Sequence, residues 1–435
     1  MSLRKPSLTL SQIINMNVGF FGIQYSFGLQ QSAVNPIYDF LGASPDEIPL
    51  LNLAGPVTGL LIQPFIGALS DSTWHPRWGR RKPFFFIGAL LCSICLLLYP
   101  FSSSLWMAAG LLWILDAGNN TAMEPYRAFV ADKLNDEQQP TGFQMQSFFT
   151  GFGQTLANLS LFIFPLIFIG KTGSLPTWVY ASFFLGAVCS IGSIWWSMRT
   201  TSEIEPTAEE LAQIRAKKIS VTESISEIFH AIGEMPKVMW QLALVYLFQW
   251  YALFCYWQNS SKSIALSVWN ATPKSNPAYY EEAVSWTGLV NGWYNIVTFL
   301  SALALANYAK KYGAKTVHMT CLLLAAAGFL AFPHIENKNL LFFAITGFGI
   351  GWASMMGIPY LLVVSDIPKE RYGVYMGIIN MMIVIPMILQ NISFGYILKH
   401  FLDNDPRNAI TFAGALLAIA AVATAFIKPS PNKTA

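Results

Sequence analysis

The chain has 435 residues, of which 54% are hydrophobic and only 11% are charged, with a formal net charge of +3. A soluble domain carries about 25% charged residues, so this composition excludes a soluble enzyme, a disordered chain and a nucleic-acid-binding protein. The five cysteines all lie in apolar runs, which argues against a disulfide framework or a thiolate metal site. We therefore interpret the sequence as a polytopic membrane protein without catalytic residues, cofactor or metal.

A helix that crosses a bilayer needs about 20 mostly apolar residues, and twelve such runs follow one another along the chain. The sequence thus predicts an all-α membrane protein with twelve transmembrane helices, arranged as six plus six. The predicted spans are 13–41, 48–70, 83–103, 105–131, 143–170, 177–198, 237–265, 284–308, 314–333, 339–364, 373–401 and 406–428.

The Lys and Arg residues predict the orientation, because they concentrate in cytoplasmic loops. With the N-terminus inside, nineteen of the 26 fall on the cytoplasmic side, six fall outside, and Arg127 lies within a span. Both termini are therefore expected in the cytoplasm of a cell whose inner or plasma membrane holds the protein. The long polar stretch 199–236 is predicted to be a cytoplasmic amphipathic linker between an N-terminal bundle (1–198) and a C-terminal bundle (237–435).

A weak internal repeat relates the two predicted bundles. In span 4, Pro125-Tyr126 is followed by Asp132, and in span 10 the same residue types recur as Pro359-Tyr360 and Asp366. The two motifs occupy equivalent spans in a six-plus-six arrangement. Repeated halves with a binding site between them are typical of secondary transporters.

Charged side chains within a span are functional candidates, because a charge at the bilayer centre costs a few kcal/mol or more. We expect such groups in span 4 alone, and none in the second half. Asp116, Asn120, Glu124 and Arg127 project from one face of this helix. We predict that Asp116 is a protonatable coupling group that pairs with Arg127 when the site is empty. Glu124 is the third predicted proton-coupling residue, with which Arg127 can pair once Asp116 is protonated. The alternative is a permanent Glu124–Arg127 pair that merely neutralises charge.

The loop between spans 2 and 3 is strongly basic, and residues 67–83 also contain Gly67, Asp71 and Gly79. A simple positive-inside anchor would explain the basic residues but not Asp71 or Gly79. We predict a charge network that closes the cytoplasmic side and breaks when the protein opens. Its predicted gating residues are Asp71, Arg77, Arg80, Arg81, Asp132 and Asp366.

These motifs resemble those of known transporters. The pattern Gly-x-x-x-Asp followed by Arg-x-Gly-Arg-Arg resembles the signature of the major facilitator superfamily. The longer segments 55–83 and 116–132 resemble the plant sucrose transporters and their animal and bacterial relatives, in the glycoside–pentoside–hexuronide:cation symporter group. The resemblance implies that Asp116 and Arg127 serve proton coupling and sugar binding. This sequence departs from the plant proteins by lacking a His in 42–47 and by carrying Glu124 in place of a small or neutral residue.

Several spans carry the mixture of amides and aromatic rings that a sugar requires, because hydroxyls need hydrogen bonds and ring faces need apolar contact. The alternatives are interfacial anchoring for the aromatic residues and interhelical hydrogen bonding for the amides. The predicted sugar contacts are Tyr25, Gln30, Asn119, Asn120, Gln154, Gln249, Trp250, Asn291, Trp293, Asn295 and Asn380.

Together these features predict a monomeric proton-coupled symporter that takes up a glycoside, a disaccharide such as sucrose or maltose. Its partners would be the sugar, protons and the lipid bilayer, and no nucleic acid. A sodium-coupled sugar symporter is one alternative, although one carboxylate beside an arginine is a poor cation site. A facilitator or exporter of another amphipathic solute is a second alternative, and a sensor that no longer transports is a third.

Overall fold

The computed structural model describes residues 5–135, 137–173, 175–216, 230–363 and 372–428. Almost all of these residues are helical. The helices are α1 (Leu10–Phe40), α2 (Ile48–Leu51), α3 (Ala54–Asp71), α4 (Lys82–Leu98), α5 (Leu105–Lys133), α6 (Gln139–Ile167), α7 (Thr177–Thr200), α8 (Ala208–Ala216), α9 (Lys237–Trp269), α10 (Pro277–Tyr312), α11 (Ala314–Ala331), α12 (Leu341–Val363), α13 (Tyr372–Phe401) and α14 (Pro406–Ala425). A short hairpin of β1 (Lys171–Thr172) and β2 (Leu175–Pro176) joins α6 to α7.

Local sequence signals set the ends of several helices. The Ser104 side chain accepts a hydrogen bond from the Met107 amide at the start of α5, and Asn276 does the same for α10. Such caps satisfy backbone N–H groups that have no partner within the helix. Six of the long helices contain an internal proline, which removes one backbone hydrogen bond and allows a bend. These prolines are Pro36, Pro64, Pro125, Pro165, Pro359 and Pro386.

The chain divides into two compact units. The first contains Met1–Ile37 and Val57–Val221, and the second contains Tyr38–Pro56 and Thr222–Ala435. The last three residues of α1 and all of α2 therefore belong to the second unit, although both flanks of this segment belong to the first. The predicted bundles at 1–198 and 237–435 follow the same division apart from this segment.

In the first unit, α4 packs against α5 and α7. Gly88 and Gly118 allow the close approach of α4 and α5, since a Cβ at Gly88 would lie 2.6 Å from the Gly118 carbonyl oxygen. In the second unit, α11 packs against α12 and α14, and α9 packs against α14. Small residues at helix contacts are typical of membrane proteins, in which backbones must approach closely to gain packing energy.

The predicted spans match the long helices of the described residues one for one. Nine of these helices are long and apolar enough to cross a membrane, judged by length and composition. Among the described residues of the predicted amphipathic linker, α8 and a helical stretch at 230–233 are seen. The remaining part of the linker, 217–229, and the predicted gating residue Asp366 lie outside the described residues.

Candidate functional site

Asp116 lies in the middle of α5 and is only 3% exposed. The side chain of Gln30 on α1 and the thiol of Cys92 on α4 lie near its carboxyl group. Within the described part of the chain, no Lys, Arg or His forms an ion pair with Asp116. This carboxyl group is therefore buried among helices without a compensating cation, which is a costly arrangement for an ionised side chain.

The predicted direct pair between Asp116 and Arg127 is absent, so this prediction was wrong. Both residues do lie on α5, but they are eleven residues apart, and this separation corresponds to a rise of about 16 Å along the helix. Side chains on one straight helix cannot bridge that distance. Arg127 is exposed and Glu124 is half-buried. Neither has an ion-pair partner in the portion of the chain that the structure describes, so the alternative Glu124–Arg127 pair is also absent.

Asn119 and Asn120 tie α5 to its neighbours. The Asn119 amide donates to the Ser26 hydroxyl at 2.9 Å, and its oxygen accepts from the Cys92 thiol at 3.0 Å. The Asn120 amide donates to Thr58 at 3.1 Å, and its oxygen accepts from Gln63 at 2.6 Å. Both amide oxygens and both amide nitrogens thus have protein partners, and these contacts hold α1, α3 and α4 against α5.

The remaining first-unit candidates lie on α1 and α6. The Gln154 amide donates to the Gln24 side chain at 3.0 Å, and the Gln154 carbonyl accepts from Asn158 at 2.8 Å. Tyr25 is almost fully buried, whereas Gln30 is half-buried. Gln30 therefore combines partial access with proximity to Asp116.

In the second unit, Gln249 and Trp250 on α9 are buried side chains that carry polar atoms. Among the described residues, the amide nitrogen and oxygen of Gln249 have no hydrogen-bond partner, and the indole nitrogen of Trp250 has none either. Buried polar groups are nearly always hydrogen-bonded. These two side chains therefore hold donor and acceptor capacity that a polar ligand or water can use.

The other second-unit candidates have partners or lie apart from these two. Asn291 accepts from the Tyr256 hydroxyl at 2.9 Å, and its carbonyl accepts from the Asn295 amide at 2.9 Å. Trp293 is exposed and donates to Thr346 at 2.9 Å. Asn380 on α13 is half-buried. Each of these can touch a ligand only through its remaining polar atoms or its ring.

Sequence reasoning missed Trp352 on α12. Its ring packs edge-to-face on both Trp250 and Trp257, with centroid distances of 5.5 Å in each case. Phe348, one turn earlier, lies close to parallel to Trp352 at 6.5 Å. These four side chains form the aromatic cluster of the second unit. Its signal in the sequence was weak, because Trp352 stands in an apolar span with no neighbouring amide or charge.

The expectation of charge in span 4 alone was also wrong. Lys262 on α9 and Asp39 on α1 form a buried ion pair with a distance of 3.1 Å, and their side chains are only 7% and 3% exposed. The Tyr280 hydroxyl on α10 donates to the other carboxylate oxygen of Asp39. Both charged residues lie within predicted spans, so a listing of every ionisable residue inside the span limits would have found them.

The basic loop before α4 forms the predicted charge network in part. Asp71 pairs with Arg80 at 2.7 Å and with Arg81 at 2.8 Å, and Arg81 also pairs with Asp132 at 2.7 Å. Burial by itself would lower the pKa of the Arg81 guanidinium, but the carboxylates of Asp132 and Asp71 raise it above its usual value. Arg77 is exposed and has no ion pair within the described ranges.

Glu203, just after α7, completes this network in a way that the sequence did not indicate. Its carboxylate accepts hydrogen bonds from the backbone amides of Arg80, Arg81 and Lys82 at 2.8, 2.8 and 3.0 Å. Successive N–H groups at a helix start form a binding site for an anion. Gly79 has φ +75°, and a Cβ there would lie 2.5 Å from the Glu203 carboxyl carbon. A cavity of about 470 Å³ lies beside this contact.

Comparison with known proteins places this architecture in one superfamily. The profile of the Major Facilitator Superfamily matches residues 16–391. The sucrose transport protein SUC4 of Arabidopsis thaliana is 24% identical over 471 residues, covering 94% of this chain and 90% of the relative. The sucrose transport protein SUT5 of Oryza sativa subsp. indica is 21% identical over 441 residues, with coverages of 86% and 79%.

Solved structures agree in fold. The nucleoside transporter NupG superposes with a TM-score of 0.72 at 14% identity, covering 97% of this chain and 100% of the other. The inward-open xylose transporter XylE from E. coli gives a TM-score of 0.66 at 16% identity, with coverages of 98% and 97%. At these identities the likeness concerns the fold. With the profile covering most of its length, the chain belongs to the Major Facilitator Superfamily and is an integral membrane transporter, not an enzyme.

Proposed function

We propose that the protein is a proton-coupled symporter that takes up a glycoside, a disaccharide such as sucrose or maltose. The observation that carries the proposal is Asp116, a buried carboxyl group with no cationic partner in the described part of the chain. A proton neutralises the carboxylate, and this removes a burial cost of about a few kcal/mol within a membrane. This difference is what couples a proton to a conformational change.

The sequence relatives support the sugar. Both plant relatives named above are sucrose transport proteins, and they match this chain over most of its length. The aromatic cluster of the second unit offers ring faces for the C–H surfaces of a pyranose. Gln249 and Trp250 offer unpartnered polar atoms for its hydroxyl groups. A sugar needs both kinds of contact.

Arg127 has a role in this proposal that does not require contact with Asp116. Its guanidinium group is exposed and carries five N–H donors. We propose that it binds sugar hydroxyl groups, while the side chain of Gln30 lies near Asp116. The proton and the sugar then bind at different heights along α5. Their effects combine through the conformation of this helix and not through one ion pair.

The contacts of Asn119 and Asn120 weaken the sodium-coupled alternative. Sodium would need several oxygen ligands close to Asp116, and these amides are the nearest candidates in sequence. Their side-chain oxygens already accept hydrogen bonds from Cys92 and Gln63. Each oxygen therefore has one lone pair already engaged, whereas a proton on Asp116 needs no oxygen ligand from these amides.

The charge network of Asp71, Arg80, Arg81 and Asp132 is proposed to hold one end of the protein shut. We propose that this end and both termini lie in the cytoplasm, because Lys and Arg concentrate in cytoplasmic loops. Arg77 and Asp366 remain proposed members of the same network. Opening would separate these ion pairs, and water would then solvate the released charges.

The proposed sugar contacts can be tested at one indole nitrogen. Trp250→Phe keeps an aromatic ring but removes the unpartnered N–H, so we expect the KM for sucrose or maltose in counterflow to rise several-fold. Trp240→Phe is the matched control, because Trp240 is an exposed tryptophan on the same helix. Equal KM values for the two variants would contradict a sugar contact at Trp250. Counterflow needs no ion gradient, so this result is independent of proton coupling.

A further inference from the structure

The thiol of Cys92 lies at the contact between α4 and α5 and is almost fully buried. Its sulfur is 3.0 Å from the side-chain oxygen of Asn119 and 3.6 Å from the backbone carbonyl oxygen of Leu115. Gly118 makes this approach possible, because a Cβ there would lie 3.0 Å from the sulfur. The thiol is therefore held against the turn of α5 that carries Asp116.

The thiol of Cys92 has one hydrogen, so it can donate to one strong acceptor at a time. In this structure the hydrogen bond goes to the side-chain oxygen of Asn119, which is a neutral acceptor. The carboxyl group of Asp116 lies near the same thiol. Once ionised, this carboxyl group is the better acceptor, because hydrogen bonds to charged groups are about twice as strong as those between neutral groups. Rotation about the bond from Cβ to sulfur is enough to redirect the hydrogen.

The titratable neighbours of Cys92 are Asp116 on α5 and Cys95 on α4. The other titratable side chains of α5 begin eight residues beyond Asp116, which corresponds to about 12 Å along the helix. They are Glu124, Tyr126, Arg127, Asp132 and Lys133. From α1, the uncharged side chain of Gln30 lies near Asp116. Among the described residues, the thiol and the Gln30 amide are thus the donors that lie near this carboxyl group.

Helix α7 also packs on α4, but in the described part of the chain it brings no cation close to Cys92. The titratable side chains of α7 are Tyr180, Cys189 and Arg199. Arg199 lies level with Lys82, because the Lys82 ammonium donates to the carbonyl of the preceding residue. Lys82 is separated from Cys92 by about 15 Å along α4. An ionised Asp116 would therefore be stabilised by hydrogen bonds and not by a nearby positive charge.

We propose that Cys92 is a positioning residue for Asp116, whose thiol donates to Asn119 while Asp116 carries a proton and turns to the Asp116 carboxylate once that proton leaves. The thiol keeps its own hydrogen in both arrangements, and the proton from Asp116 goes to water. The inference rests on the proposed function, because it concerns the carboxyl group assigned there to proton coupling. It adds a residue on α4 that responds to the charge of Asp116.

The side chain of Asn119 extends this response to α1. Its amide nitrogen donates to the hydroxyl of Ser26 at 2.9 Å, while its oxygen accepts from Cys92. When the thiol turns away, the Asn119 oxygen loses its partner, and a buried oxygen without a partner is unfavourable. The contact of α5 with α1 through Asn119 is then less stable, so the release of a proton weakens the packing of these helices.

Infrared difference spectroscopy of the full-length protein in liposomes observes both groups as the pH is changed. The C=O stretching band of the protonated carboxyl group reports on Asp116, and its loss in Asp116→Asn identifies it. The S–H stretching band of Cys92 is identified by its loss in Cys92→Ser. We expect this S–H band to move to lower frequency as the pH rises, because the carboxylate is the stronger acceptor. Its midpoint should match that of the C=O band, and in Asp116→Asn it should not depend on pH.

The two bands separate a failure of this inference from a failure of the proposed function. If the C=O band of Asp116 titrates while the S–H band of Cys92 stays fixed, the inference is overturned and the proposed function stands. If the C=O band is the same at every pH, Asp116 does not exchange a proton, and both are contradicted. The measurement needs neither sugar nor an ion gradient.

Removing the thiol tests the same inference through the proton affinity of Asp116. Cys92→Val has no donor for the carboxylate, so we expect the midpoint of the C=O band to move to higher pH by about one unit, a tenfold change in proton affinity. Cys95→Val is the matched control, because Cys95 is also buried and lies one turn further along α4. Its midpoint should equal that of wild type.

Cys92→Ala keeps the test decisive if the branched valine at position 92 prevents folding. Alanine is smaller than cysteine and also lacks a donor, so the midpoint should again rise by about one pH unit. Cys95→Ala, the corresponding control, should leave the midpoint unchanged. A midpoint in Cys92→Ala equal to that of wild type would overturn the inference, because the carboxylate would then not depend on the thiol.

Discussion

Two buried carboxyl groups in this protein have opposite surroundings. Asp39 is held by Lys262 and Tyr280, with the cation 3.1 Å away. Asp116 is equally buried, with the side chains of Gln30 and Cys92 nearby and no cation paired with it in the described part of the chain. The burial cost of Asp39 is offset by opposite charge, whereas that of Asp116 is avoided only when the group carries a proton. A paired carboxyl suits a structural contact between helices, and an unpaired one suits proton coupling.

The largest expected effect comes from making Asp39 resemble Asp116. Lys262→Met leaves a buried carboxylate without its cation, and breaking a buried pair in this way costs about 3–5 kcal/mol. We expect a loss of that size in the free energy of unfolding, measured by circular dichroism in mixed detergent micelles. The neutral double variant, Asp39→Asn with Lys262→Met, should recover most of it. A double variant as unstable as the single one would show that the pair contributes through packing instead.

A smaller effect is expected at Glu203, whose carboxylate is held by backbone amides instead of a buried cation. Glu203→Gln keeps the shape but removes the charge that the amides of Arg80, Arg81 and Lys82 bind. Hydrogen bonds to charged groups contribute about 1.5–3 kcal/mol, so we expect a loss in this range in the same unfolding measurement. Glu205→Gln, two residues further along, is the control. Equal stability of both variants would contradict the role assigned to Glu203.

A still smaller effect on stability is expected for Asp116→Asn. The change removes no ion pair and keeps an oxygen near Gln30, so the free energy of unfolding should change by about 1 kcal/mol or less. The contrast with Lys262→Met in the same assay is the informative result. A loss as large as that of Lys262→Met would mean that Asp116 is ionised and paired, contrary to the geometry.

The smallest effect is expected where an ion pair is open to solvent. Lys338→Met removes the pair with Glu282, whose side chain is 44% exposed, and exposed pairs contribute about 0–1 kcal/mol. We expect a shift in the free energy of unfolding that is close to the error of the measurement. A loss comparable to that of Lys262→Met would show that burial does not explain the difference between the two pairs.

The fold could be predicted from the sequence because its signals are local. Apolar runs of sufficient length define each long helix, and the polar stretch after Thr200 separates the two halves. The burial of Asp116 could also be predicted from its place within a membrane span, because lipid does not accept a charged side chain there. The separation of Asp116 and Arg127 was predictable too, because the helical rise is fixed; the prediction considered only the face and not the height.

The remaining features depend on contacts between distant parts of the chain. Asp39 meets Lys262 only because α1 ends in the second unit, and no local pattern shows where a helix end will dock. The same holds for Glu203, which lies far in sequence from the amides that it binds. The hydrogen bonds that occupy the Asn119 and Asn120 side chains likewise depend on Ser26, Thr58 and Gln63 on other helices. Sequence identifies polar residues within spans, but only packing shows which ones are already partnered.

The most direct test of the account is uptake of labelled sucrose and maltose into proteoliposomes, with and without an inward proton gradient. Wild type and Asp116→Asn are compared side by side, with counterflow measured on the same vesicles. We expect the gradient to drive accumulation at least tenfold above equilibrium in wild type, while the variant exchanges sugar but does not accumulate it. Gradient-driven accumulation that persists in Asp116→Asn would contradict the assignment of Asp116 as the coupling group.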